Sequence, residues 1–287
     1  MNDQYSPVLA SSIAFSSLKN MDIVLDAGMG LEVFLDMPGW YDEVTIENYL
    51  WKLRRSFGEF PLSFHASIAE GLDLSEPVHS PEQQRAMASF HRTIVMAGRL
   101  GALHVVVHTH GYHRFISDEV RPVLQDRMKH SLSVLGTWGL QAKTKVVVEN
   151  IGTENQGTLL YREKEFVQLF NDVPEIYSLI DVGHAFLNKW DVPALIRKLG
   201  SRLVALHIHD NHGQTDEHLP LGQGAIDWAP IADAIGETAK PPVLVLEYEG
   251  KVNRDAWASL QQGDILLRSW QGNINDHQDY AFWRKHA

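Results

Sequence analysis

The chain has 287 residues, 44% of them apolar, which is enough for a sizeable core, and no apolar run of about 18 residues that would cross a membrane. It has no cysteine, so disulfides and thiolate metal sites are excluded. With 25 Lys+Arg against 36 Asp+Glu, the net charge of -11 disfavours a polyanionic partner, and nucleic acid is not expected.

Short apolar, β-branched stretches alternate with segments of helical period. Strands are predicted at 7–15 (PVLASSIAF) and 31–36 (LEVFLD), followed by a helix at 45–57. A strand at 62–67 (LSFHAS) leads to a helix at 81–101 that opens on Pro81 after Ser80 and closes on Gly101, as helices often do. Next come a strand at 103–110 (LHVVVHTH), a helix at 119–139 and a strand at 145–150 (KVVVEN). Three more strands follow at 177–183 (YSLIDVG), 203–210 (LVALHIHD) and 243–249 (VLVLEYE). These strands are almost wholly apolar rather than alternating, which suits a parallel sheet buried on both faces. The repeated strand–helix unit predicts an α/β fold, a (β/α)₈ TIM barrel, as one domain over 1–287. The rival, an open doubly wound sheet, usually carries a glycine-rich first turn, and ASSIAFSSLKN has none. The N-terminus lacks the basic-then-apolar order of a secretory leader, so a cytoplasmic location is expected.

From the third strand onward each strand ends in a residue able to bind a metal: His65, His108, Glu149, Asp181, His207 and Glu247. The gaps between them, 43, 41, 32, 26 and 40 residues, are each about one strand–helix unit. Parallel strands place all their C-terminal ends at one mouth, where barrels of this kind do chemistry. A lone strand histidine is more often a hydrogen-bonded core residue than a ligand. His104, one turn of the pleat below His108, fits that plainer role, and His91 and His130 sit in helices. Six such residues in successive strands reverse the odds, because a cluster of carboxylates repels itself unless a cation sits among them.

Two local pairs add to the set. Asp181-Val-Gly-His184 places an imidazole three residues after a carboxylate, and Asp216-Glu-His218 lies in the loop after the seventh strand. Imidazole with carboxylate suits Zn²⁺ or Mn²⁺. His209 shares the parity of His207 and either competes with it as a ligand or orients it. Asp210 and His212 shape the loop, Gly222 and Gly224 allow a tight return, and Trp228 is a packing residue.

These residues carry a family resemblance. The segments HAS (65–67), VVVEN (146–150), DVGHAF (181–186), HIHDN (207–211), DEHLPLGQGAIDW (216–228) and LVLEYE (244–249) resemble the xylose isomerase-like TIM-barrel superfamily. That superfamily includes sugar (phosphate) isomerases and epimerases and nucleases of the endonuclease IV type. In the isomerase branch the resemblance implies one divalent metal on Glu149, Asp181, His207 and Glu247. In the nuclease branch it implies three zinc ions, using also His65, His108, His184, Asp216 and His218. All nine residues are present, so one to three ions per chain are expected. The nuclease reading loses support at its DNA contacts. His65 is followed by Ala-Ser-Ile-Ala rather than an aromatic wedge, and LDMPGWYD (35–42) has no basic residue.

The expected activity is therefore isomerisation or epimerisation of a sugar or sugar phosphate. A metal would polarise a carbonyl, while Glu149 and Glu247, approaching from opposite sides of the mouth, take and return the proton. Trp40, Tyr112, Trp190 and Tyr248 follow strand ends and are candidates for stacking on the sugar, with loop packing as the plainer role. His209 is a further candidate substrate contact. Arg114, Lys251 and Arg254 could hold a phosphate, although solvation at the surface fits each better. The alternative is hydrolysis of a small phosphoester or of apurinic-site DNA at a centre of two or three metals. The aromatic, mixed-charge end DHQDYAFWRKHA (276–287) fits a subunit contact in a homo-oligomer or packing beneath the barrel.

Overall fold

The computed structural model of the protein describes residues 9–14, 21–26, 29–36, 42–69, 71–111 and 114–248. The C-terminal segment 276–287 and the candidates Trp40, Tyr112, Lys251 and Arg254 lie outside them.

The elements run β1 (Leu9–Ala14), α1 (Met21–Asp26), β2 (Gly30–Phe34), α2 (Glu43–Phe57), β3 (Leu62–His65), α3 (Pro81–Arg99), β4 (His104–His108) and α4 (Arg121–Ala142). They continue with β5 (Lys145–Glu149), α5 (Glu163–Asp172), β6 (Tyr177–Asp181), α6 (Val182–Leu187), α7 (Val192–Leu199), β7 (Leu203–Ile208), α8 (Ala229–Gly236) and β8 (Val243–Leu246). The eight strands close in chain order, with β8 back against β1 and every neighbouring pair parallel. This is the predicted (β/α)₈ barrel.

The apolar strands are explained by two separate cores. Successive strand residues point to opposite faces. Val105, Val107, Val146, Val148, Ile180, Leu206, Ile208, Leu244 and Leu246 face outward and join the sheet to its helices. Their neighbours Val106, Val147, Leu179, Val204 and Ala205 form a second apolar cluster within the barrel. A strand buried on both sides has no face on which to place polar residues, so the few it carries are chemically meaningful.

The helices start where the sequence signals. Ser80 accepts a hydrogen bond from Gln83 N at 3.2 Å ahead of Pro81 at the start of α3, and Asp42 accepts one from Val44 N at 3.1 Å at the start of α2. Several strands stop sooner than predicted. The sixth ends at Asp181 rather than 183, because the Asp181 carboxylate accepts from His184 N at 2.6 Å and starts α6 at once. Shorter strands leave their terminal side chains free to project into the mouth.

Candidate metal centre

Register alone assembles much of the site. His108 pairs with Glu149 and Asp181 with His207 across adjacent strands, and Glu247 follows the last residue of β8. Glu149, Asp181, His207 and Glu247 thus occupy four consecutive strand ends, with donor atoms all within 4.8 Å of one another. They form one arc of the mouth. Glu149 and Glu247 stand at its two ends, with β6 and β7 between them.

Two further groups flank the arc. His65 Nε2, His108 Nε2 and Glu149 Oε2 lie 3.2 Å apart in each pairing, a triangle with three donors aimed at its centre. On the other side Asp216 Oδ2 is 3.0 Å from His184 Nε2 and 3.1 Å from His218 Nε2. Glu149 belongs to both the arc and the first triangle. All nine predicted ligands are therefore brought to one mouth.

The rings are held from behind. His65 donates Nδ1–H to Ala66 O at 2.8 Å, His184 to Asn150 O at 3.1 Å and His218 to Glu247 O at 3.0 Å. Each bond fixes the tautomer and turns Nε2 inward. The left-handed backbone at His218, φ 47°, is part of the loop geometry that places its ring there.

The charges alternate tightly. Burial alone would raise the Glu149 carboxyl, but the imidazoles of His207 and His108 outweigh it and hold it well below the usual range. Asp181 is likewise lowered against its burial by His184 and His209. Burial would lower His184, yet Asp181, Asp216 and Glu149 lift it to about 10, and His218 rises to about 9 beside Asp216 and Glu247. For His108 burial wins and its pKa falls. The donor chemistry fits a divalent cation. Three carboxylates converge on His207, whose Nδ1 lies 2.7 Å from Glu247 Oε2 and 3.5 Å from Glu149 Oε1 without an aligned hydrogen bond. The residues placed to hold such an ion are Glu149, Asp181, His207 and Glu247, with the two flanking groups available for more.

Other candidates take different places. His209 is fully buried and hydrogen-bonded through Nε2 to Asp181 Oδ2 at 2.9 Å, so it braces Asp181, and it also lies close to His218 and Glu247 at the mouth. Gly183 makes room for that ring, since a Cβ there would overlap it. Trp190 packs on Phe166 of α5, with ring centroids 5.7 Å apart. The Tyr248 hydroxyl accepts from Leu221 N at 3.2 Å and latches the loop; burial pushes its pKa up to about 12. Arg114 is held by Asp73 at 2.9 Å and Glu76 at 3.0 Å, which neutralises it and removes it as a phosphate anchor. His104 is buried in the barrel interior, His91 packs edge-on against Trp138, and His130 is exposed.

The loop after β7 depends on Asp210. Its carboxylate accepts from Gly222 N at 3.0 Å, Ile226 N at 3.2 Å and Trp228 Nε1 at 3.0 Å, while its backbone pairs with Leu219. Gly224 sits so close that a Cβ would overlap the Asp210 carboxylate. Sequence reasoning missed Glu32. It lies in the middle of apolar β2, points inward and is fully buried. A charge at an inward position of an otherwise apolar strand is a legible signal, because such a group is tolerated only with partners.

The description that matches residues 26–266 of this chain is the xylose isomerase-like TIM barrel. An uncharacterized protein of Methanocaldococcus jannaschii, MJ1614, is 25% identical over 173 residues, covering 56% of this chain and 66% of that protein. The chain therefore matches just under two thirds of that relative's length. Among solved structures, a D-tagatose 3-epimerase-like protein superposes with a TM-score of 0.75 at 21% identity, covering 91% of this chain and 98% of that one. A D-psicose 3-epimerase from Clostridium cellulolyticum H10, solved with D-tagatose, gives 0.74 at 16% identity, covering 91% and 99%. With the closed barrel and the convergent acids and imidazoles already in place, the match across most of its length means that the chain belongs to the xylose isomerase-like TIM barrel family.

Proposed function

We propose that the protein is a divalent-metal-dependent epimerase or isomerase of a sugar-like substrate. The observation that carries this reading is the arc of Glu149, Asp181, His207 and Glu247, donor atoms within 4.8 Å, on consecutive strand ends at the barrel mouth. The folds shared with the D-tagatose 3-epimerase-like and D-psicose 3-epimerase structures support the substrate class. A bound Zn²⁺ or Mn²⁺ would polarise a substrate carbonyl and make the adjacent C–H more acidic. Glu149 and Glu247 stand at the two ends of the arc, placed to take a proton from that carbon and return one to it. Asp181 is braced by His209 and His184, so it serves as a fixed anion rather than a moving base.

The test is incubation of the metal-reconstituted protein with D-psicose, D-tagatose and D-fructose, free and phosphorylated, in D₂O. Deuterium should enter a carbon next to the carbonyl, and only when Mn²⁺ or Zn²⁺ is supplied. No exchange with any of these substrates in metal-loaded protein overturns the reading.

The two flanking triangles favour one second reading. If the flanking groups held further ions beside the one on the arc, the same mouth would suit hydrolysis of a small phosphoester. Metal content separates the two: one tight ion per chain supports the epimerase, and two or three ions with phosphatase turnover support the hydrolase.

A further inference from the structure

The imidazoles at the mouth are not all held in the same way. His65, His184 and His218 donate Nδ1–H to neutral backbone carbonyls and turn Nε2 inward. His207 is reversed. Its Nε2 lies 2.9 Å from Glu32 Oε1, and its Nδ1 faces Glu149, Asp181 and Glu247.

Glu32 comes from β2, on the far wall from the arc, and is fully buried with Ser63 Oγ donating at 2.9 Å and His104 Nε2 at 3.1 Å to its other oxygen. An ionised carboxylate can only accept, so each of these contacts needs a donor. A buried anion with three donors is expensive to assemble and is retained where it holds something in place.

We propose that Glu32 is a positioning residue for the metal centre: by accepting a hydrogen bond from His207 Nε2–H it makes Nδ1 the metal-binding nitrogen. The inference rests on the metal-centre reading above and deepens it. A carboxylate acceptor raises the basicity of the imidazole more than a carbonyl does, so His207, the one imidazole of the arc, is a stronger donor to a metal than the histidines held by carbonyls. His104 and Ser63 hold Glu32 in turn, which gives the polar residues deep in the barrel a task that packing alone does not explain.

The test uses full-length protein labelled with ¹⁵N-histidine and loaded with ¹¹³Cd²⁺, with His207 assigned by difference against His207→Gln. Coupling of ¹¹³Cd to Nδ1 of His207, with Nε2 still protonated, is expected. Coupling through Nε2 overturns the proposal, and this readout needs no variant at position 32. Glu32→Gln should weaken Cd²⁺ binding about 10- to 100-fold, and Glu32→Asp should restore part of it. Wild-type affinity in folded Glu32→Gln also overturns it. If wild-type protein binds no Cd²⁺ at all, the metal-centre reading itself fails, an outcome distinct from binding that ignores Glu32.

Discussion

The two triangles beside the metal arc are made in different ways. His65, His108 and Glu149 end three neighbouring strands, and the backbone ladder of β3, β4 and β5 sets their separation. Asp216 and His218 hang from a loop instead, and they meet His184 only because Asp210 ties that loop to the barrel through three donated hydrogen bonds. A strand-borne group comes with the fold, whereas a loop-borne group needs a scaffold of its own. The strand-borne triangle should therefore survive local damage that destroys the other.

The largest effect is expected at Asp181, which belongs to the arc, caps α6 and binds His209. Asp181→Ala should lose tight metal binding and reduce turnover by roughly 10²-fold or more, while circular dichroism still reports the barrel. A metal-replete, active variant would break the assignment for both sides at once.

Asp210→Ala should separate them. Its buried donors lose their acceptor at about 1–3 kcal/mol each, so chemical denaturation should show a clear loss of stability. Metal analysis should show any ion at His184, Asp216 and His218 lost, with the His65–His108–Glu149 side still occupied. Equal loss on both sides would show that the mouth is one cooperative unit.

Gly183→Ala acts on the join between arc and loop. The added methyl overlaps His209 and must push it off Asp181. We expect a loss of about 1–3 kcal/mol from overpacking and weaker ion binding, measured by denaturation and by Mn²⁺ titration.

The smallest effect concerns His110, in the loop after β4 and outside the candidate ligands. Burial lowers its pKa from the ordinary 6.5 to about 4, and its Nε2–H donates to Thr158 O at 2.6 Å. The unfolded chain takes up the proton below pH 6.5, while the folded chain resists it to about pH 4. Stability present above pH 6.5 is therefore lost as pH falls toward 4. His110→Gln should flatten that slope in metal-free protein, and an unchanged slope would exclude His110 as its source.

Much of this was readable before any coordinates. Strands apolar on both faces and ligand types recurring once per strand–helix unit pointed to a parallel barrel with its chemistry at one mouth. The six strand-end candidates converge there because register turns one ligand per strand–helix unit into proximity, and His184, Asp216 and His218 join them from the turn after β6 and the loop after β7. The role of His209 was not settled by parity, since parity says which wall a side chain leaves and not how deep it sits. The place of Trp190 after a strand left sugar stacking and packing equally open, and Phe166 supplies it a ring partner from another element. Arg114 looked like a cation open to an anion until Asp73 and Glu76 closed on it from the preceding loop.

Sequence by itself determined the eight strands, the parallel sheet and the ligand types, because these follow from local periodicity and from repeats along the chain. Tertiary structure decided which groups touch: that Glu149 and Glu247 end one arc, that Asp210 latches the loop, and that Glu32 reaches His207 from 175 residues away. The physical reason is closure. Once the last strand pairs with the first, residues remote in sequence share a space too small for water to separate them, and their charges must then satisfy one another.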